Sequence, residues 1–425
     1  ARASQQLETA LSLDGGRHDV RERLADALQQ RAALAERSGL GEVVVQDLLE
    51  RVRLHDVDGV RLAAWDAPAQ LEVTSDPPGA RVLLDRYVDD GDRLRIDSSE
   101  LLGATPLAPQ TLARGSYRLR FELPGRALVS YPVALTRGET VAVAVALPPV
   151  DTVPDGFMYV PAGRFLYGSR DPEPMRRFLR SEPMHTIETG PYLISATEVT
   201  YKEYIEFLAA EAPADREARL KEMAGASTRL EEKPGGGWRL VLSQGIKEYV
   251  VESGAPLVYE GRNVRASVEW ERLPVSGISP EDAKAYVRWL DRSGRVSGAR
   301  FCDEREWERA ARGADGRVFP GGDTLHPTDA NYDETYGRVP SAFGPDPVGS
   351  YPHALSPFGL YDADGNVYEM TASAHGDLVV VRGGAFFYAQ VQARSTARFD
   401  IPPGLRDTNL GLRVCATWPS SARGN

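Results

Sequence analysis

Four oxygen-bearing side chains crowd a single turn of this sequence. Asp362, Asp364, Asn366 and Glu369 fall within Gly359-Leu-Tyr-Asp-Ala-Asp-Gly-Asn-Val-Tyr-Glu369, arranged around Gly365. Glycine takes a positive φ without strain, so the chain can fold tightly there. Calcium is a hard cation that takes about six to eight oxygens, part carboxylate and part backbone carbonyl, and a tight turn with alternating acids suits it. The same residues also suit a solvated acidic turn between two strands. The spacing departs from the helix-loop-helix calcium loop, which requires an acid at its last position.

Other chemistry-bearing residues are sparse. Arg382-Gly-Gly-Ala-Phe386 follows the β-branched run Val379-Val-Val381, so a strand meets paired glycines where the backbone must bend or be closely approached. Cys302 and Cys415 are the two cysteines, too few for a disulfide framework, and read most simply as buried thiols acting as small apolar groups. The six histidines are scattered, with no His-x-x-x-His pair at helical spacing. Kinase signatures are missing: there is no glycine-rich phosphate loop, no His-Arg-Asp and no Asp-Phe-Gly.

Several elements must position these groups. A chain of 425 residues is long enough for two or three domains. Its 42% hydrophobic and 26% charged residues are ordinary for globular protein. A net charge of -11 argues against a nucleic-acid partner, because neutralising phosphates needs a basic surface. No apolar run is long enough to span a membrane. The opening Ala1-Arg-Ala-Ser-Gln shows neither an initiator methionine nor a signal peptide, and an excised piece of a longer protein is expected.

Residues 1–66 read as helices punctuated by Gly15-Gly16 and Gly39-Leu-Gly41, with Val20, Leu24, Leu28, Ala32 and Ala35 on one face. This segment is similar to a fragment of a tetratricopeptide-like array, and would serve as a partner-binding scaffold or a rigid spacer. Residues 67–149 switch to strands. Their order Pro77-Pro-Gly-Ala80, Gly103-Ala-Thr-Pro-Leu107 and Gly115-Ser-Tyr-Arg-Leu119 resembles PEGA domains, small β-sandwiches without a known catalytic role. An insert from Tyr87 to Leu102 carries five acids and is expected to widen one loop. Within residues 150–425, Ser279-Pro-Glu-Asp282 marks a capped helix start, with Ala285, Tyr286 and Trp289 as its buried face. Trp307 is the expected core residue of a helix over Asp303 to Ala311. The stretch Gly313 to Ser356 lacks periodicity, and such a loop needs a metal or dense packing to stay ordered. An insertion over 211–270 suits a binding decoration, a lid or a neutral elaboration.

The C-terminal part resembles the formylglycine-generating-enzyme, or sulfatase-modifying-factor, family, whose fold is a variant of the C-type lectin fold. Eight ordered blocks carry the resemblance. Besides the two anchors above, they are Met158 to Gly168, Thr197-Glu-Val-Thr-Tyr-Lys-Glu-Tyr204, Leu273-Pro-Val-Ser276, Arg300-Phe-Cys-Asp-Glu-Arg-Glu-Trp-Glu308, Ala311-Arg-Gly313 and Asn409-Leu-Gly-Leu-Arg413. The implied class is α+β: a lectin-like C-terminal domain, a PEGA β-sandwich and a short helical segment. In that fold the strands near Cys302 and Cys415 lie in or beside the core, which also allows a bridge.

The resemblance implies specific residues. The family enzymes oxidise a substrate cysteine with two copper-binding cysteines, and those positions are Tyr388 and Ala393 here; the serine usual after Arg-Gly-Gly is Ala385. Neither replacement can form the thiolate that would ligate a soft metal. The chain is therefore expected to be non-catalytic. The family's structural calcium would take the side chains of Asp362 and Glu369 and the carbonyls of Gly365 and Val367. A second ion would involve Asn331 and Tyr332, with Asp333 and Asp346 as further candidates. The surface that carries chemistry in the enzymes would hold Phe386, Phe387, Tyr388, Gln390, Gln392, Arg394, Arg398, Arg406 and Asn409. Aromatic groups with arginines are usual in a recognition patch; alternatively Phe386 is core and the arginines pair with acids such as Asp400.

The order of segments resembles the C-terminal part of bacterial serine/threonine protein kinases. It implies an extracytoplasmic sensor of an unknown ligand or protein, tethered to a kinase domain outside this chain, with a cytoplasmic location as the alternative. An oxidoreductase with altered chemistry and a retroelement-diversified binding protein, whose variable positions fall in the 386–409 segment, are the other readings.

Overall fold

The computed structural model describes residues 2–37, 40–91, 93–224, 226–244 and 247–418. The chain forms two compact units. The first comprises the chain up to Val73 with Leu107–Gly115 and Leu135–Val143. The second comprises Thr74–Pro106, Ser116–Ala134 and the chain from Ala144 onward.

In the first unit, helices span Arg2–Leu13, His18–Arg37, Glu42–His55 and Val60–Trp65. Leu24, Leu28, Ala32 and Ala35 recur on one face of the second helix and bury against Leu48, Leu49 and Val52 of the third, with Trp65 completing the cluster. The Arg137 guanidinium stacks 3.6 Å from the Trp65 ring centre and donates to Glu36 at 2.6 Å.

The second unit contains a four-stranded sheet in the order Leu94–Ala104, Arg81–Asp89, Gly115–Glu122 and Val129–Leu135. Here the sequence reading needs correction: much of the acidic insert from Tyr87 to Leu102 is the edge strand Leu94–Ala104, not a loop. That strand is exposed along most of its length, so it lacks the apolar alternation that identifies a half-buried strand. The hairpin also meets the C-terminal part of the chain. Leu94 donates its backbone N–H to Gly321, Arg93 forms a two-pronged pair with Asp329, and Arg317 stacks on Tyr87.

Two sheets frame the C-terminal part. One has the order Ala299–Phe301, Val414–Thr417, Tyr192–Ser195, Phe157–Val160. The other has the order Phe399–Ile401, Leu378–Arg382, Tyr368–His375, Leu410–Leu412, its last pair running parallel. Val160, Tyr192, Ile194, Trp307, Leu360 and Cys415 share one core. Pairing of Phe301 with Val414 sets Cys302 beside Cys415, and the two are bonded as a disulfide with Cα atoms 4.8 Å apart. This corrects the expectation of two thiols: strand pairing joins residues 113 positions apart, which spacing along the chain cannot reveal.

Three helices start on reciprocal caps: Thr200 with Glu203, Ser279 with Asp282, and Asp303 with Glu306. The helix Pro280–Arg292 buries Tyr286, Val287 and Leu290, whereas Ala285 and Trp289 are only half-buried, one turn-angle off the expected face. Trp307 is fully buried. The insertion forms helix Pro213–Met223 and an antiparallel meander of Thr228–Glu232, Trp238–Gln244 and Lys247–Glu252.

Candidate functional site

The Arg382-Gly-Gly segment sets the geometry of the site. Arg382 ends its strand fully buried and donates to Glu308 at 2.5 Å and to the Ser395 carbonyl at 2.6 Å. Gly384 has φ +79°, and a Cβ there would sit 2.7 Å from the Ala393 Cα, so the backbone passes where no side chain fits. This close approach packs Ala393 into a cluster with Phe319, Leu325, Ala330 and Tyr332. Tyr388, which with Ala393 is expected from the family resemblance to stand where the enzymes have cysteines, lies at the surface. With Cys302 and Cys415 bonded to each other, the chain holds no free thiol.

Beneath this segment lies a buried acidic centre. Glu369 accepts from Arg413 at 2.7 to 3.0 Å and from the Trp307 indole N–H at 2.5 Å. Asp362, at φ +55°, accepts the Gly349 backbone N–H at 2.6 Å. Asn366 donates to Glu198 at 3.2 Å, and Glu198 retains a buried oxygen with no hydrogen-bond partner. Asp364 has another such oxygen. Burial pushes the Asp362 carboxyl up to about 6, and burial with the nearby Asp362 charge raises those of Glu198 and Asp364.

Of the first expected calcium set, the structure places Asp362, Gly365, Val367 and Glu369 together in one buried turn and strand start. The Glu369 carboxylate is already engaged by Arg413 and Trp307, whereas Glu198 and Asp364 each keep an unpartnered oxygen and Asp362 accepts one backbone N–H, so these three acids have ligand capacity left. Among the described residues, no three His, Cys, Asp or Glu side chains are arranged to hold a metal ion. In charge the residues nonetheless fit a cation: Glu198, Asp362 and Glu369 surround the single guanidinium of Arg413. Glu198 escaped the sequence reading, although it lies within a recognised block. The second set differs. Asn331 donates to the Gly344 carbonyl and to Asn366, the Tyr332 carbonyl accepts from Thr335, Asp333 pairs with Arg338, and Asp346 is held by donors on several sides.

The expected recognition residues divide into two groups. Phe386 is 1% exposed and belongs to the core, as its alternative reading held. Arg394 pairs with Asp171 at 2.6 Å, and Arg398, 5% exposed, pairs with Glu304 at 2.7 Å. Arg406 pairs with Glu222 and Asp282. The acid named as the arginines' partner, Asp400, instead meets Arg180 and His375. These arginines knit the fold because each faces a carboxylate in a partly desolvated setting. At the surface remain Phe387, 54% exposed, Tyr388, 36% exposed, and Gln390. The rings of Phe387 and Tyr388 lie 5.2 Å from Phe343 and Tyr368 respectively. The Tyr368 hydroxyl, on the ring beside Tyr388, is buried without a hydrogen-bond partner, and so are the Gln392 and Asn409 amide oxygens. Sequence reasoning missed Phe343 and Tyr368, which reach the patch from separate loops and strands.

The chain matches two known domain families and several known proteins. Residues 145–418 match the sulfatase-modifying factor enzyme 1-like domain, and residues 69–151 match the PEGA domain. The mouse protein named inactive C-alpha-formylglycine-generating enzyme 2 is 29% identical over 61% of this chain and 85% of its own length. Serine/threonine-protein kinase pkn1 of Chlamydia caviae is 24% identical over 61% of this chain and 37% of its own length. The solved structure of PvdO from Pseudomonas aeruginosa covers 62% of this chain and 94% of that one, at 24% identity and a TM-score of 0.43.

Proposed function

Because this chain belongs to the sulfatase-modifying factor enzyme 1-like family yet holds no free thiol, we propose that it is a non-catalytic recognition module. The observation that carries the proposal is the exchange of chemistry for a surface. Where thiolates would be needed stand an exposed Tyr388 and a buried Ala393. Exposed Phe387 and Tyr388 pack on the Phe343 and Tyr368 rings, and the unpartnered Tyr368 hydroxyl adds a polar group, a mix suited to binding and orienting a ligand. The name of the mouse relative supports this reading.

The module is the sensory part of a larger signalling protein with a kinase domain. The likeness to pkn1, of which the chain spans 37%, supports that tethering. It works outside the cytoplasm, as the Cys302–Cys415 disulfide favours an oxidising compartment. One calcium ion sits at Asp362 and Glu198 with the carbonyls of Gly365 and Val367, supplying the positive charge that Arg413 alone does not.

Two experiments test the proposal. A sulfatase peptide bearing the substrate cysteine is incubated with the protein, copper and oxygen. Mass spectrometry should find the cysteine unchanged, and formation of formylglycine would overturn the non-catalytic assignment. A calcium titration followed by thermal melting should show saturable stabilisation that Asp362→Ala abolishes. A melting point indifferent to calcium and chelator would remove the ion from the account.

A further inference from the structure

The loop that would hold the second calcium contains a different cation. Arg262 comes from the insertion over 211–270, and its side chain is 0% exposed. Its guanidinium donates to Asp346 at 2.6 Å, to the Gly344 carbonyl at 2.6 Å and to the Ala342 carbonyl at 2.7 Å. It is sandwiched between the rings of Tyr259 and Tyr336, 3.6 and 4.0 Å from their centres. Asp346 also accepts from the hydroxyls of Tyr336, at 2.8 and 2.9 Å, and Tyr351, at 2.5 Å, while Arg265 approaches to 3.5 Å.

A calcium ion needs oxygens with lone pairs free to converge on it. Here the carboxylate of Asp346 and the carbonyls of Ala342 and Gly344 point their lone pairs at N–H donors. Guanidinium presents a planar fork of donors, stays charged at every physiological pH and is less strongly hydrated than an ammonium group, so it suits a buried carboxylate. Stacking between two aromatic faces adds to the stabilisation in a site shielded from water.

We propose that Arg262 is a built-in cation that replaces a metal ion in the loop between Asn331 and Asp346, so that the loop is ordered without calcium. The insertion is thereby a clamp. Two of the three acceptors of Arg262 flank Phe343, the ring packed against exposed Phe387. Resting on the recognition reading above, this makes Arg262 a positioning residue for the aromatic patch.

Hydrogen–deuterium exchange of residues 336–348, followed with calcium ion alone and with excess chelator, tests the proposal. In the unaltered protein, exchange there should be the same in both conditions. In Arg262→Gln it should be at least tenfold faster, while the strand Phe157–Val160 stays protected. Calcium-induced slowing confined to residues 362–369 belongs to the ion at Asp362 and leaves this proposal standing. Slowing that includes residues 336–348 overturns it, as does an Arg262→Gln protein that exchanges like the original. Should Arg262→Gln fail to fold, the comparison of conditions in the unaltered protein decides alone.

Discussion

Glu369 shows how one buried residue organises this molecule. Its carboxylate joins Arg413, which lies between two short strands, to the Trp307 indole at the core. Glu369→Ala leaves the Arg413 guanidinium buried with its direct partner gone, and unfolding stability should fall by about 3–5 kcal/mol in denaturant titration. Loss of less than about 1 kcal/mol would show that Glu198, 4.0 Å from the same guanidinium, substitutes for it. At this scale the sequence was informative about position and less so about partner. Glu369 was legible as an acid in a tight turn, but its pairing with Arg413 depends on strand pairing 44 residues away. Arg394 and Arg398 are recognition candidates by correspondence to the surface that carries chemistry in the family's enzymes; their acids, Asp171 and Glu304, come from elsewhere in the fold.

At the scale of elements, local chemistry was readable and long-range docking was not. The Ser279–Asp282 cap and the Trp307 helix follow from neighbours a few residues apart. The edge strand Leu94–Ala104 is largely exposed, and Arg262 lies in an irregular stretch with no period to mark it. Asp315 illustrates a docking contact with a measurable signature. It pairs with Arg317 and accepts from Ser116 of the strand Gly115–Glu122 at 2.5 Å. Despite the opposing effect of burial, Arg317 and these hydrogen bonds lower its carboxyl from 3.8 to about 2. Because the folded value lies below the unfolded one, the pair stabilises the protein fully above pH 3.8, and that contribution disappears as pH falls toward 2. Asp315→Asn should therefore cost about 2 kcal/mol at neutral pH and flatten the stability profile across that acid window. A parallel loss at all pH values would contradict the assignment.

At the scale of the whole molecule, the two cysteines of the core are bonded to each other, and the surface at Phe387 and Tyr388 is the one proposed for recognition. The disulfide closes a span of 113 residues, and its reduction should lower stability by about 4–5 kcal/mol, measured in denaturant with and without reductant. An unchanged midpoint would show that sheet pairing alone holds Cys302 beside Cys415. Fold class was legible because the family blocks, Arg382-Gly-Gly and the turn at Gly365 each impose a backbone path. The patch was only half legible: Phe387 and Tyr388 are neighbours in sequence, whereas Phe343 and Tyr368 arrive through the fold.

The most direct measurement is binding to peptide and glycan arrays by the protein and by its Phe387→Ala/Tyr388→Ala variant. Each ring packs on one neighbour, Phe343 or Tyr368, so the variant should lose about 0.5–1.5 kcal/mol per site and stay folded. The account expects a ligand captured by the unaltered protein to be lost by this variant at a temperature where circular dichroism shows both proteins folded. Capture that persists undiminished in the variant would contradict the assignment of recognition to this surface.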